Sequence, residues 1–165
     1  FSTRGESWKE SDGWLSKSNE CEWYGIECSP TGSGGGSIVG LSLSNNSLNG
    51  TLPVDLALLS NNLMLLDLSN NSLTGSLPEE IGLLNVLSHL SLAENGLSRT
   101  IPTSLGSMTG LQFLDLSSNS FGSTLPTEMG YLTKLKHLNI YDNGLLGEVP
   151  SQIGMLINVE TMDLS

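Results

Sequence analysis

Leu63-Met64-Leu65-Leu66-Asp67-Leu68-Ser69-Asn70-Asn71-Ser72-Leu73-Thr74-Gly75-Ser76-Leu77-Pro78 is the stretch that decides how this chain folds. Leu66 and Leu68 alternate with Asp67 and Ser69, the period-2 signature of a strand with one buried face. Past Asn71 the alternation stops. Gly75, Pro78 and a helical-looking segment closed by Ile81 and Leu84 follow. No helix or sheet of ordinary length has that order of residues. A short strand, a tight turn and a return path do.

The same spacing recurs along the chain. The strand pair is Leu41 and Leu43, then Leu66 and Leu68, Leu90 and Leu92, Leu114 and Leu116, and Leu138 and Ile140. An asparagine follows each pair at 46, 71, 95, 119 and 143, and a proline follows at 53, 78, 102, 126 and 150. The period is 24 residues, with one of 25 between Asn46 and Asn71. Val159, Met162 and Leu164 begin a sixth unit. Such a period marks a repeat architecture: one unit cannot bury its own apolar face and is stable only when stacked on neighbours. The asparagines are expected inside, their amides bonding backbone groups where each strand bends away. Removing one should cost roughly 1–3 kcal/mol in unpaired buried groups.

With 165 residues the chain is long enough for one domain with a continuous core. Its net charge of −11 argues against a nucleic-acid partner and against an anionic membrane surface. No apolar run approaches the roughly 20 residues of a membrane span. The chain opens at Phe1 without Met and closes inside a repeat, so it reads as a piece of a longer protein. Membrane attachment is expected only through a span beyond residue 165. Val159, Met162 and Leu164 should then leave apolar surface exposed.

Residues 1–37 are not repeat-like and read as an N-terminal capping segment; residues 38–165 read as five full repeats and a truncated sixth. A stacked solenoid needs its first end covered, or a row of Leu side chains and strand edges faces water. A Trp-rich segment holding Trp8, Trp14 and Trp23 is expected to supply that cover, and a Gly/Ser-rich bend runs on from Gly32 to Ser37. Cys21 and Cys28 are the only cysteines, an even count at close spacing, and the expected link is a disulfide. A metal site would need third and fourth ligands that are not nearby. A disulfide argues for an oxidising compartment.

The cap, with Trp14-Leu15 followed by Cys-x-Trp-x-Gly-Ile-x-Cys, resembles the N-terminal cap of plant-type leucine-rich-repeat receptor ectodomains, the receptor-like kinases and receptor-like proteins. The turns at Leu48 to Pro53, Leu73 to Pro78 and Leu145 to Pro150 resemble that subfamily too, with Leu-x-Gly-x-Ile/Leu-Pro. The resemblance implies an α/β fold: a right-handed solenoid with a concave parallel β-sheet, a second short strand before each proline, and 3₁₀ or helical turns on the convex side. Arg99 and Ser123 stand where the turn glycine is expected, so the backbone is not expected to be uniform there.

Residues flanking the two inward strand positions point into the concave groove. Neighbouring strands lie about 4.8 Å apart, so equivalent positions form stripes. One stripe holds His89, Phe113 and His137; beside it lie Asp67, Asp115 and Asn139, with Tyr141 and Asp142 further along. An exposed aromatic cluster rimmed by charge is the usual anatomy of a recognition surface, although stacked aromatics also stabilise adjacent strands without binding anything. About 18 concave residues are presented, below the roughly 20–30 a side of a standard interface. Weak binding or a co-receptor role follows. Asn45, Asn49 and Asn70 open Asn-x-Ser/Thr triplets, which are glycosylation acceptors. Sugars on Asn45 and Asn70, at the concave strand ends, would mask the early repeats.

Catalysis is not expected. His89 and His137 stand two strands apart, roughly 10 Å, too far to share a metal at about 2 Å. Serines line the sheet without an oxyanion pocket, and the glycines of the bend lack the Lys of a phosphate loop. No cofactor and no metal are expected. The leading reading is an extracellular or cell-surface module that recognises a protein or peptide ligand, or a co-receptor, within a receptor ectodomain. The alternatives are a secreted inhibitor of cell-wall-degrading enzymes, similar to the polygalacturonase-inhibiting proteins, and a structural matrix repeat with no specific ligand.

Overall fold

The computed structural model describes residues 7–30 and 36–165. Residues 1–6 of the expected cap and residues 31–35 of the Gly/Ser-rich bend lie outside the described residues. The described strands are β1 (Ile26–Cys28), β2 (Ile38–Ser42), β3 (Asn49–Thr51), β4 (Leu65–Asp67), β5 (Ser72–Ser76), β6 (His89–Ser91), β7 (Gly96–Arg99), β8 (Phe113–Asp115), β9 (Ser120–Ser123), β10 (His137–Asn139), β11 (Gly144–Leu145) and β12 (Thr161–Asp163). They form a seven-stranded sheet, β1-β2-β4-β6-β8-β10-β12, and a five-stranded sheet, β11-β9-β7-β5-β3. Each coil of the solenoid thus contributes one strand to either sheet. Successive coils pair in parallel in both sheets. The exception is β1, which runs antiparallel to β2 with Ile26 opposite Leu41.

The helical part of the fold is 3₁₀ throughout the described coils. The return segments are Val54–Leu59, Glu79–Leu83, Thr103–Ser107, Thr127–Tyr131 and Ser151–Met155. A proline precedes each, extended at φ between −58° and −78°, which is the angle its ring imposes. Its carbonyl then accepts the first i+3 bond, as from Ile81 to Pro78 and from Leu105 to Pro102, both 3.1 Å. The tighter helix rises about 2.0 Å per residue, so five residues suffice to carry the chain back toward the next strand.

The strand leucines meet the return-segment residues in one continuous core. Leu66, Leu68, Leu90, Leu92, Leu114 and Leu116 are all fully buried, as are Leu84, Met108 and Leu132 from the return side. On the return side the coils approach so closely that glycine is required. A Cβ on Gly82, Gly106 or Gly130 would lie 2.3, 2.4 or 2.4 Å from the carbonyl oxygen of Ser104, Glu128 or Gln152 in the next coil.

The asparagine column lies inside as expected. Asn71 accepts from the backbone N–H of Asn46 and Leu48 at 3.0 and 2.9 Å and donates to Leu43 and Leu68 carbonyls, both at 2.9 Å. Asn95, Asn119 and Asn143 each accept one N–H from the preceding coil, those of Leu73, Leu97 and Phe121. Asn46 has no full coil before it and grips the cap instead, accepting from Glu10 N–H at 2.7 Å and donating to Glu10 O at 2.8 Å.

The cap is joined by the Cys21–Cys28 disulfide, with Cα atoms 5.6 Å apart. Trp14 packs between Trp8 and Trp23 at centroid distances of 5.0 and 5.1 Å and donates to the Tyr24 carbonyl at 2.9 Å. At the other end Met162 is 40% exposed, while Val159 and Leu164 pack partly against the core. The expected apolar exposure is therefore centred on Met162.

The turn backbone corrects one expectation. Arg99 and Ser123 take φ of 72° and 70°, beside 98°, 82° and 82° at Gly50, Gly75 and Gly147. The turn is uniform because stacking dictates its path, and the non-glycine residues are held in the left-handed region. That region costs an L-residue about 1–2 kcal/mol, whereas glycine gives back about 0.4–1 kcal/mol through the unfolded chain. Arg99→Gly and Ser123→Gly should each stabilise the protein by about 0.5–1 kcal/mol, read as a higher urea midpoint at unchanged slope.

Candidate functional site

The five parallel strands β4, β6, β8, β10 and β12 pair without slippage, and this converts a sequence repeat into rows of side chains. Leu65, His89, Phe113, His137 and Thr161 are direct partners in one row; Asp67, Ser91, Asp115, Asn139 and Asp163 are partners in the next. Between them runs the buried row Leu66, Leu90, Leu114 and Leu138, which fixes both outer rows by locking the strand parity.

The first row is an aromatic stack. His89 and Phe113 lie face to face, with centroids 4.1 Å apart and planes 5° from parallel. Phe113 and His137 follow at 5.9 Å and 49°. His137 Nδ1 shares a 2.7 Å hydrogen bond with Thr161 Oγ1, which orients the ring. All three rings are half-buried, so part of each remains open to solvent.

Burial is the main influence on His89 and lowers its pKa, with the Asp67 and Asp115 carboxylates pulling the other way. The unfolded chain therefore binds a proton more readily than the folded one. Stability from this group is present above the ordinary imidazole pKa and is lost as pH falls through that value toward the depressed folded one. A histidine NMR titration should show His89 titrating below the usual imidazole range. His89→Phe should remove that part of the acid sensitivity.

The acids of the second row are pinned by serines two residues on. Asp67 Oδ1 accepts from the N–H and Oγ of Ser69 at 3.0 and 2.7 Å; Asp115 Oδ1 does so from Ser117 at 2.9 and 2.6 Å. Asp163 and Ser165 repeat the arrangement at 3.1 and 2.7 Å. The Ser165 bonds, side chain first, lower the Asp163 pKa. Asn139 donates to Asp115 Oδ2 at 3.3 Å and accepts from Tyr141 N–H at 3.2 Å. Oδ1 of each acid thus has a structural role, and Oδ2 of Asp115 also holds Asn139.

The structure brings His89, Phe113, His137, Asp67, Asp115 and Asn139 onto one face. Tyr141 is exposed beyond β10 and makes no ring contact with the stack among the described residues. Asp142 lies further on, at φ 53° in the bend column it shares with Asn45, Asn70, Glu94 and Ser118. Sequence reasoning passed over Thr161 and the three pinning serines as site residues. Their signal was the Asp-x-Ser spacing at 67/69, 115/117 and 163/165.

The glycosylation triplets have their own geometry. Asn45 and Asn70 occupy left-handed positions, at φ 52° each, which Asn tolerates better than most residues. Asn45 accepts from Lys9 Nζ, and Asn49 Nδ2 donates to Ser7 Oγ at 3.2 Å. Among the described residues no group of three His, Cys, Asp or Glu side chains comes together to hold a metal, and no helix is long and apolar enough to cross a membrane.

Many solved structures are similar to this solenoid, among them the following three. The ectodomain of the Arabidopsis thaliana membrane receptor kinase GASSHO1/SCHENGEN3, solved with CASPARIAN STRIP INTEGRITY FACTOR 2, is 40% identical over 76% of this chain and 15% of its own, with a TM-score of 0.74. The BIR3–SERK2 complex from Arabidopsis thaliana is 31% identical over 96% of this chain and 82% of the other, at 0.79. A plant ice-binding protein is 31% identical over 94% of this chain and 49% of its own, at 0.85. This chain therefore spans less than a sixth of the first of these and about half of the third. No curated protein sequence is similar enough to count as a match. The Leucine Rich Repeat profile matches residues 37–59, 62–84, 86–108, 110–132 and 134–156. These are the coils described above, and the chain belongs to the leucine-rich-repeat family.

Proposed function

We propose that this chain is an extracellular recognition module, a capped solenoid from a receptor ectodomain, which binds a protein or peptide on its seven-stranded, concave face. The supporting observation is the in-register row His89–Phe113–His137, partly open and flanked by the carboxylates of Asp67 and Asp115. Aromatic side chains concentrate binding energy at interfaces. The rows offer a binding surface and no paired acid–base group. Similarity to a receptor kinase ectodomain solved with CASPARIAN STRIP INTEGRITY FACTOR 2 and to the BIR3–SERK2 complex supports the same reading. Residues 1–37 act as the cap, and sugars on Asn45 or Asn70 would border the free surface. Random-peptide display on the disulfide-bonded chain tests this. Binders should be recovered, and their binding should be lost in Phe113→Glu. Recovery of none, or only of binders indifferent to Phe113→Glu, defeats the reading.

A second reading is favoured by a different face. Ser72, Thr74 and Ser76 on β5, Ser98 on β7 and Ser120 on β9 project from the five-stranded sheet, most of them exposed. Together with the likeness to a plant ice-binding protein, this hydroxyl-rich face supports adsorption to ice. Thermal hysteresis abolished by Thr74→Tyr would favour that reading, and its absence in the parent chain removes it.

A further inference from the structure

From the spacing of the acids on the seven-stranded face, we infer that its occupant is a basic peptide segment in the polyproline II conformation, with Arg or Lys at every third residue. This rests on the concave-face reading above and identifies the chemistry of its ligand.

The acid row alternates. Asp67 is on β4, Asp115 on β8 and Asp163 on β12, with the neutral Ser91 and Asn139 on the strands between. Strands are about 4.8 Å apart, so the carboxylates repeat at about 9.6 Å along the solenoid. A ligand that meets all of them must repeat its cations at the same distance on one side. An extended β-strand fails: residues three apart span about 10 Å but point to opposite faces. An α-helix brings residues seven apart to one face at about 10.5 Å, which accumulates nearly 2 Å of error over two steps. Polyproline II has three residues per turn and rises about 3.1 Å per residue. Its same-face repeat is about 9.3 Å, and the error over two steps is about 0.6 Å.

The rest of the face suits such a segment. Each acid commits Oδ1 to its serine, at Ser69, Ser117 and Ser165, while among the described residues the second oxygen carries no intramolecular hydrogen bond apart from the long Asn139 contact on that of Asp115. The pinned carboxylates lose little side-chain freedom when a cation arrives. Two residues back along the strands, about 6.7 Å away, runs the His89–Phe113–His137 row. Aromatic-lined grooves receive the pre-formed, low-entropy polyproline helix well. One side of the three-sided helix would face the acids, a second the rings, and the third solvent. Neither row contains Lys or Arg, and the chain carries a net charge of −11.

The probe is a fluorescein-labelled peptide of Arg-Pro-Pro repeated four times, titrated against the disulfide-bonded chain by fluorescence anisotropy. The comparison peptides have the same composition with the arginines in adjacent pairs, or Glu in place of Arg. The ordered peptide should bind at least tenfold more tightly than the paired one, with weaker binding at higher salt, and the Glu peptide should not bind. Asp67→Asn and Asp115→Asn preserve an acceptor for the serine and should each weaken binding severalfold. Asp163→Asn, at an exposed position, should do the same. Equal affinity for the ordered and paired peptides, no binding of the ordered one, or indifference to all three substitutions overturns the inference. If display still yields binders sensitive to Phe113→Glu, the concave-face reading survives that result.

Discussion

Gly106→Ala should cost about 3 kcal/mol, while Gly154→Ala, one base change of the same kind two coils later, should be neutral or slightly stabilising. Gly106 sits in the Thr103–Ser107 return segment at an ordinary negative φ, so its glycine is not there for backbone freedom. It is there for contact. An added Cβ would meet Glu128 O at 2.4 Å, Glu128 Cβ at 2.7 Å and the Glu128 carbonyl carbon at 2.8 Å. Two of these are backbone atoms that no rotamer change can move, so the two coils must separate. Overpacking of this kind costs roughly 1–3 kcal/mol, and parting the return segments also stretches the leucine packing beneath. Gly154 has nothing within 4 Å of its Cβ position, and there alanine only narrows the unfolded ensemble, a gain of about 0.4–1 kcal/mol. Thermal unfolding should separate the two variants by roughly 7–16 °C, at about 2–4 °C per kcal/mol for a chain of this size. Equal melting points would mean that the coils are not in close approach at Gly106.

The glycine column shows where the sequence is legible and where it is not. Gly82, Gly106, Gly130 and Gly154 recur at 24 residues, a signal as regular as the asparagines and one that the turns do not explain. Periodicity identifies the buried leucines because apolarity is itself the cause of burial. It does not say how close two coils come, which depends on the 3₁₀ return and is settled only in three dimensions. The antiparallel β1 was invisible for another reason: Ile26–Cys28 is three residues long and too short to declare a partner. The row His89, Phe113, His137 could be read in advance because strand alternation and the repeat length fix register together. Its stacking geometry could not, since the 5° of His89 on Phe113 against the 49° of His137 depends on neighbours such as Thr161. At Arg99 and Ser123 local propensity pointed to a changed turn, and the stacked neighbours overrode it.

Asn119→Ala should destabilise the protein by about 3 kcal/mol, the upper end of the cost of unpairing buried groups, and Asn119→Asp should not restore it. Asn119 accepts from Leu97 N–H at 3.0 Å and donates to the carbonyls of Leu92, Leu116 and Ser117 at 2.9, 3.1 and 3.1 Å. Its amide therefore ties coil three to coil four and also closes its own bend. Alanine leaves the Leu97 N–H without its acceptor beneath a layer that contains the fully buried Leu97 and Phe121. A buried unpaired group costs about 1–3 kcal/mol, and the bend loses its internal bonds as well. Aspartate matches the shape and keeps the acceptor for Leu97, but it replaces the donor by an anion facing three carbonyl oxygens. If the column served only as polar filler, aspartate would be tolerated. If the donor matters, both variants should unfold at similarly reduced urea concentrations. Asn46→Ala gives the scale, because its amide pairs with Glu10 of the cap alone. Its smaller loss, about 1–2 kcal/mol for the two bonds, should fall on the cap, and amide exchange should speed up first in residues 7–28 while the coils beyond Asn71 remain protected. A ladder asparagine therefore matters in proportion to the number of coils it ties, and uniform losses at Asn46 and Asn119 would contradict that.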